Sequence, residues 1–391
     1  MKSYPKFIIF GPGNYNSLGV LRQTGRAKID CLLLIVGSGR DIKNGNILLY
    51  SRYAKQWESV GSEREGLDWL LVNIDKFADG TVIYTTSDGC ERVIDEHFDE
   101  LRPKFCFPNA GTQGRVAILM NKEHQIALAA KCGLNIIKGQ YTNSPDFDFK
   151  SVEFPCMIKP FNSTTGAKDD MAVCEDMHAL KANLSASRYT KDFIVEKYIG
   201  KEYELLLLGV ALPDGRIWTP AIVHKYDLDP MGDYTHALVS TDVLTELPEL
   251  VKVHSLIKEL RYIGPFSVEF GHEKGINYFF EVNLRNDGTS HYPLNMGINF
   301  AELYYRSYQY PKVEIPEIRN QKYLKVNDIK DIKRIFKHKV SLCHWLREFF
   351  GAGSYRYYQS GDNKILRAVI PMFVWYYTNS IVNKILRKFS K

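Results

Sequence analysis

Residues 278–292 read YFFEVNLRNDGTSHY, and the second half of that strand-like stretch sets Glu281, Asn283 and Arg285 at every second position. Side chains alternate across a β-strand, so an anion, an amide and a cation share one face. Upstream, Glu269 closes another β-like run, FSVEF. If the two runs are neighbours, two carboxylates and an amide meet at one place. Such a cluster is costly unless a cation neutralises it, and an all-oxygen set suits magnesium or manganese rather than zinc. The same triplet also fits an ion pair on an exposed edge strand. Taken alone it leaves both readings open.

Three other groups bear on phosphate chemistry. Lys159 ends an apolar run and precedes a loop containing Ser163, Thr164, Thr165 and Gly166. A lysine beside such a loop suits phosphate, with backbone N–H groups cradling oxygens. Lys122 opens a helix, where a lysine opposes the helix dipole unless an anion lies near. Glu196 and Glu202 flank the bend Lys-Tyr-Ile-Gly in VEKYIGKEYE. Each group alone fits a structural role as well.

Taken in order, these residues resemble the ATP-grasp superfamily over roughly residues 1–307. The carrying motifs are NK at Asn121–Lys122, MIKP with Lys159, VEKYIGKEYE, SVEF and FEVNLR. The terminal E-x-N-x-R is similar to the carbamoyl-phosphate-synthetase-like and biotin-carboxylase-like branches, of carboxylate–amine ligase type. The resemblance implies ATP and Mg²⁺ (or Mn²⁺) as cofactors. It assigns Lys122, Lys159 and the loop Ser163–Gly166 to ATP phosphates. Glu196, with the backbone of Lys197 and Ile199, would hold adenine, and Glu202 the ribose. Glu269, Glu281 and Asn283 would bind metal, Arg285 would face the transferred phosphoryl group, and Lys225 in VHKYD would reach the γ-phosphate. The implied reaction is amide formation through an acyl phosphate. A bicarbonate-using enzyme and a non-catalytic ATP-binding scaffold are the alternatives. The phosphate loop holds one glycine, and Arg285 is followed by NDGTSHY, where the family more often has an aromatic residue or proline; both depart from the family pattern.

The elements that must position these residues fall into three parts. Up to residue 110, strand-like runs (KFIIF, CLLLIV, NILLYS, TVIYTT) alternate with helices near 14–24, 66–77 and 90–101, which predicts a parallel α/β unit. By the resemblance this is a Rossmann-like domain. FGPGNYNSLG does not complete a dinucleotide fingerprint: Asn16 stands where the third glycine belongs, and no acid ends CLLLIV. Residues 111–307 read as an α+β ATP-grasp unit, divided into 111–195 and 196–307. Residues 308–391 read as a basic helical extension.

Composition is that of an ordinary folded protein of 391 residues, 45% hydrophobic and 25% charged. The seven cysteines are scattered with no C-x-x-C pair, which predicts reduced thiols. With no signal-peptide pattern at the N-terminus, a cytoplasmic protein is expected. The net charge is +6, yet residues 319–339 hold eight Lys/Arg against two acids and 364–391 hold six with none. The basic character therefore belongs to the extension. From Met372 onward an amphipathic helix is expected, too short and Tyr-rich to span a bilayer. It fits packing on the body or a second subunit, or peripheral contact with an anionic inner membrane face. Membrane contact would point to a lipid-linked carboxylate or amine, such as a polysaccharide or peptidoglycan precursor; small-molecule substrates are the other option. The basic stretches contain no nucleic-acid module.

Overall fold

The computed structural model describes residues 4–37, 46–160, 170–186, 190, 192–226, 234–336, 339–371 and 373–374. The Ser163–Gly166 loop and the stretch after Val374 lie outside them.

Five strands, β1 (Phe7–Pro12), β2 (Leu32–Val36), β3 (Gln56–Val60), β4 (Thr81–Thr85) and β5 (Phe105–Cys106), form an all-parallel sheet in the order β3-β2-β1-β4-β5. FIIF, LLLIV and TVIYT are almost wholly buried, as strands covered on both faces must be. The third strand is QWESV, not the expected NILLYS, whose Leu48–Tyr50 forms a single 3-10 turn. QWESV is a half-exposed edge, so its polar composition hides it from a hydrophobicity reading.

β6 (Asn135–Ile136) follows the helices Arg115–Leu119 and Lys122–Lys131, which replace the single continuous helix expected over 113–134. Asn121 breaks them by capping the second, its side chain accepting from His124 N–H at 3.1 Å. β7 (Gly139–Tyr141), β8 (Cys156–Pro160), β9 (Ala172–Cys174) and β10 (Phe193–Lys197) make a four-stranded antiparallel sheet, β7-β10-β8-β9. That sheet runs from residue 139 to 197, so Glu196 and Lys197 belong to it.

The remaining strands are β11 (Tyr203–Ala211), β12 (Ile217–Lys225), β13 (His236–Ser240), β14 (Gly264–Glu273), β15 (Ile276–Asn283), β16 (Lys322–Val326) and β17 (Ser354–Tyr355). With β6 they build an eight-stranded sheet, β17-β16-β13-β12-β11-β14-β15-β6. The extension is therefore not purely helical: β16 and β17 continue this sheet. Helix Leu250–Leu260 covers one face through Val253, Leu256, Ile257 and Leu260. On the other face one apolar cluster joins Leu206, Leu208 and Val210 to Leu33 and Tyr84 of the parallel sheet and to helix Phe300–Gln309. The extension is anchored further by the buried pair Arg22–Asp362, 3.0 Å. Asp362 also accepts from Ser51 Oγ at 3.0 Å and Arg52 N–H at 2.8 Å.

Candidate functional site

Adjacent strands bring the chemistry-bearing residues together by register. β14 and β15 pair antiparallel with Glu269 opposite Glu281 and Ser267 opposite Asn283. β11 lies on the other side of β14 and β12 beyond it, with Leu206 opposite Glu269 and Glu204 opposite Lys225. The ammonium of Lys225 consequently sits 3.5 Å from Glu204 and 3.5 Å from Glu269. Lys201 donates to Glu204 at 2.5 Å, and Lys122 lies 3.5 Å from Glu281. The register shifts between Glu269 and Phe270, leaving Phe280 as the extra residue of a bulge. Its ring packs on Gly271, where an added Cβ would lie 2.2 Å from the ring edge. Lys159 and Lys201 face the same ring at 5.2 Å and 5.5 Å.

The charges do not balance locally. Burial, then the carboxylates of Glu281, Glu204 and Asp287, push Glu269 up to about 7 despite the opposing pull of Lys225. Burial works against the charge of Lys225, but Glu269, Glu204 and Asp287 outweigh it and hold its pKa above the ordinary lysine value. Asn283 Nδ2 donates to Ser267 Oγ at 3.4 Å, leaving its carbonyl oxygen available to a ligand.

Between the two antiparallel sheets lies a cavity of about 520 Å³, lined by Ile137, Val195, Glu196, Lys197, Ile199 and Tyr278 among others. The three residues singled out for adenine therefore share one pocket. Lys159 is ion-paired with the buried Glu196 carboxylate. Glu202 stands at the half-exposed rim, accepting from Lys274 N–H at 3.1 Å. The loop candidates Ser163, Thr164, Thr165 and Gly166 fall outside the described residues.

Arg285 lies just beyond β15 and turns toward the parallel-sheet unit, where its Nε donates to Asp88 at 2.6 Å and its Nη1 to the Asn286 carbonyl at 3.1 Å. Asp88, Glu204, Lys201, Phe280 and Asp287 were not singled out from sequence. Glu204 alone had a local signal, standing two residues after Glu202 on an alternating strand. Asp88 is 197 residues from Arg285 in sequence, and no local pattern joins them.

The stretch NDGTSHY folds onto the N-terminal helix Tyr15–Arg26. Asn286 accepts from Asn16 Nδ2 through its carbonyl at 3.0 Å, Ser290 donates to Asn286 at 2.8 Å, and Gln23 donates to Ser290 at 3.2 Å. His291 is buried, its Nδ1 3.0 Å from the Gly288 carbonyl, and a Cβ on Gly19 would come within 2.8 Å of it. Both Ser290 and His291 thus serve packing between these segments. Gly11 and Gly13 likewise are glycines for want of room: added Cβ atoms would strike Thr86 Oγ1 at 1.8 Å and Asn46 at 2.8 Å.

Residues 128–298 match the ATP-grasp domain family. The chain carries an ATP-grasp domain. A formate-dependent phosphoribosylglycinamide formyltransferase from Bacteroides thetaiotaomicron is 28% identical over 264 residues, covering 59% of this chain and 66% of that protein. The chain spans less than two thirds of the length of the curated relatives it matches. In three dimensions the chain is similar to the biotin carboxylase domain of 2-oxoglutarate carboxylase from Hydrogenobacter thermophilus, solved with MgADP, ADP and bicarbonate (TM-score 0.64, 16% identity, 85% of this chain and 76% of that one). It is equally similar to N5-carboxyaminoimidazole synthetase from Staphylococcus aureus (TM-score 0.64, 14% identity, 86% of each chain). The α/β architecture is that of an ATP-grasp protein. No described helix is long and apolar enough to cross a membrane.

Proposed function

We propose that the protein is an ATP-dependent ligase that activates a small carboxylate as an acyl phosphate and transfers the acyl group to an amine. The observation that carries this reading is the register of β14 and β15, which sets Glu269, Glu281 and Asn283 beside Lys225, Lys122 and Arg285 at one sheet end. In this reading 1–110 is the substrate-facing domain, 111–307 the ATP-grasp domain and 308–391 an extension that closes the acceptor side.

The metal reading is tested by the charge balance. Glu269 stands among three other carboxylates and is pushed up to about 7, as expected where a divalent cation supplies the missing positive charge. Among the described residues no three His, Cys, Asp or Glu side chains are grouped to hold a metal. That is unlike a zinc site and fits magnesium, which takes few protein ligands and completes its shell with phosphate and water. Glu269, Glu281 and Asn283 would hold it, and when bound it would screen the charge on the β- and γ-phosphates.

The chain's own residues orient the reactants. In the cavity Glu196, Lys197 and Ile199 would seat adenine, Glu202 the ribose, and Lys159 and Lys122 the phosphates; Ser163, Thr164, Thr165 and Gly166 are assigned to the same phosphates. A carboxylate oxygen attacks the γ-phosphorus, the bond to the β-phosphate oxygen breaks, and ADP leaves. The amine nitrogen then attacks the acyl carbon, inorganic phosphate leaves, and the amine loses a proton. Lys225 and Arg285 would stabilise the charge on the transferred group.

A formate-dependent relative and a fold neighbour solved with bicarbonate both favour a one-carbon carboxylate over a polysaccharide or peptidoglycan precursor. Nothing observed favours a lipid-linked substrate or membrane contact through residues 364–391. The deciding experiment measures ADP release with ATP, Mg²⁺, formate or bicarbonate, and a pool of primary amines. Release that requires both carboxylate and amine supports the ligase. Release with bicarbonate alone points to a carboxylase-type reaction, and nucleotide binding without turnover sinks both.

A further inference from the structure

One group of side chains next to the metal wall is not used by the reaction just described. Tyr15, at the start of the first helix, packs against Gly288, where an added Cβ would lie 2.1 Å from its ring. The guanidinium of Arg356, from the extension, stands 4.0 Å from the centre of that ring. Among the described residues Arg356 forms no ion pair, and its buried Nε has no hydrogen-bond partner. Lys325, wholly buried on β16, faces the rings of Tyr234 at 4.7 Å and Tyr292 at 4.6 Å. Lys225 approaches the same Tyr234 ring at 5.4 Å, which joins this cluster directly to the carboxylate wall.

Three cations thus converge on three tyrosines. Lys225 is balanced by Glu204 and Glu269, and Asp287 is the carboxylate nearest the tyrosines. Ring faces compensate a desolvated cation only in part, and a guanidinium presents a planar fork of donors suited to carboxylate or phosphate. The segments meeting here come from all three parts of the chain, so the pocket exists only when the extension is docked.

We infer that Arg356 and Lys325, framed by Tyr15, Tyr234 and Tyr292, form a specificity pocket for an anionic group, carboxylate or phosphate, on the acceptor substrate. The inference rests on the ligase reading for the word acceptor, but the pocket's affinity for an anion is measurable without turnover. The extension then acts as a reader of substrate charge.

The test uses the full chain and two probes, inorganic phosphate and succinate, titrated while the melting temperature is followed with and without Mg²⁺ and a non-hydrolysable ATP analogue. A saturable rise with either probe is expected in wild type, in the presence of the analogue. The probe that saturates at the lower concentration identifies the anion class. Arg356→Gln is expected to raise the half-saturating concentration about tenfold or more, the scale of one charge-assisted contact. Arg356→Lys, which keeps the charge, should fall between the two and guards against a folding defect. Analogue affinity should be unchanged in both variants. Failure of the analogue to bind wild type would remove the nucleotide reading and leave the pocket to be judged by the titrations without it. Equal probe affinity in wild type and Arg356→Gln, or no saturable response in wild type, overturns the inference.

Discussion

The metal wall and the anion pocket lie side by side and share Lys225, yet they are built in opposite ways. The wall is made by neighbouring strands in register: Glu269, Glu281 and Asn283 come from two strands joined by a short hairpin. The pocket draws Tyr15, Tyr234, Tyr292, Lys325 and Arg356 from five separate segments. Local pairing fixes the first; only the docking of three parts fixes the second. Chemistry common to a fold can reside in hairpins, whereas substrate choice can be changed by exchanging a loop or an extension.

The largest effect that probes this comparison is on stability. Lys225 is the buried counter-charge for Glu204 and Glu269. Lys225→Met leaves two carboxylates facing each other in the interior, and a loss of about 3–5 kcal/mol is expected in a urea unfolding experiment without nucleotide. A loss below about 1 kcal/mol would show that the wall is wet enough to tolerate its own charge. Glu281→Ala and Asn283→Ala should separate from this. Both are expected to lower kcat on the order of a hundredfold, as lost metal ligands do, with little change in stability. Pocket variants such as Arg356→Gln should instead raise the acceptor KM. If wall and pocket variants shift the same parameter, the two sites are not separable.

How much of this was readable in the sequence follows the same division. Alternation along FFEVN placed Glu281 and Asn283 on one face, and β15 shows that face. The parallel unit and the antiparallel texture after residue 138 were legible, since hydrophobic runs and turn residues are local signals. QWESV was missed because an edge strand carries no such run, and β16 and β17 because basic residues outweighed KYLKV's alternation. The Asp88–Arg285 pair and the cations around Tyr234 were out of reach, since only tertiary packing brings them together. Ser290 and His291 looked available for substrate, but burial against Gln23 and Gly19 shows them holding the helix to the loop.

His291 gives a pH test of that helix contact. Burial, with Arg22, Lys325 and Arg356 nearby, pushes its pKa down to about 3, and the backbone of Gly288 opposes this only in part. In the unfolded chain the ring takes up a proton near pH 6.5. The folded value is the lower one, so the unfolded state binds more protons between pH 6.5 and 3. The contribution is therefore fully present above pH 6.5 and is lost as pH falls through that window. Between pH 6.5 and 5 the loss attributable to His291 should be about 2 kcal/mol. The difference between wild type and His291→Gln isolates it from carboxylate titration. Parallel curves for the two proteins would mean that the ring is protonated in the folded state.

The smallest effect tests whether the parallel-sheet unit positions the wall. Asp88 lies at the first turn of helix Asp88–Asp95 and grips Arg285 through Nε at 2.6 Å and Nη2 at 3.5 Å. The Asp88 side chain is half exposed, so the pair contributes less than about 1 kcal/mol to stability. Its value lies in orientation: a guanidinium held by a two-point contact is aimed, and aim matters for phosphoryl transfer. Asp88→Asn keeps the charge of Arg285 and loosens its hold, so turnover should fall about tenfold, equivalent to ~1.4 kcal/mol of barrier, with the melting temperature nearly unchanged. An increase in turnover would reverse the reading and make Asp88 a group that holds the arginine away from its anion until substrate arrives. Either outcome separates this contact from the wall, where loss of a carboxylate or amide has only one direction to go.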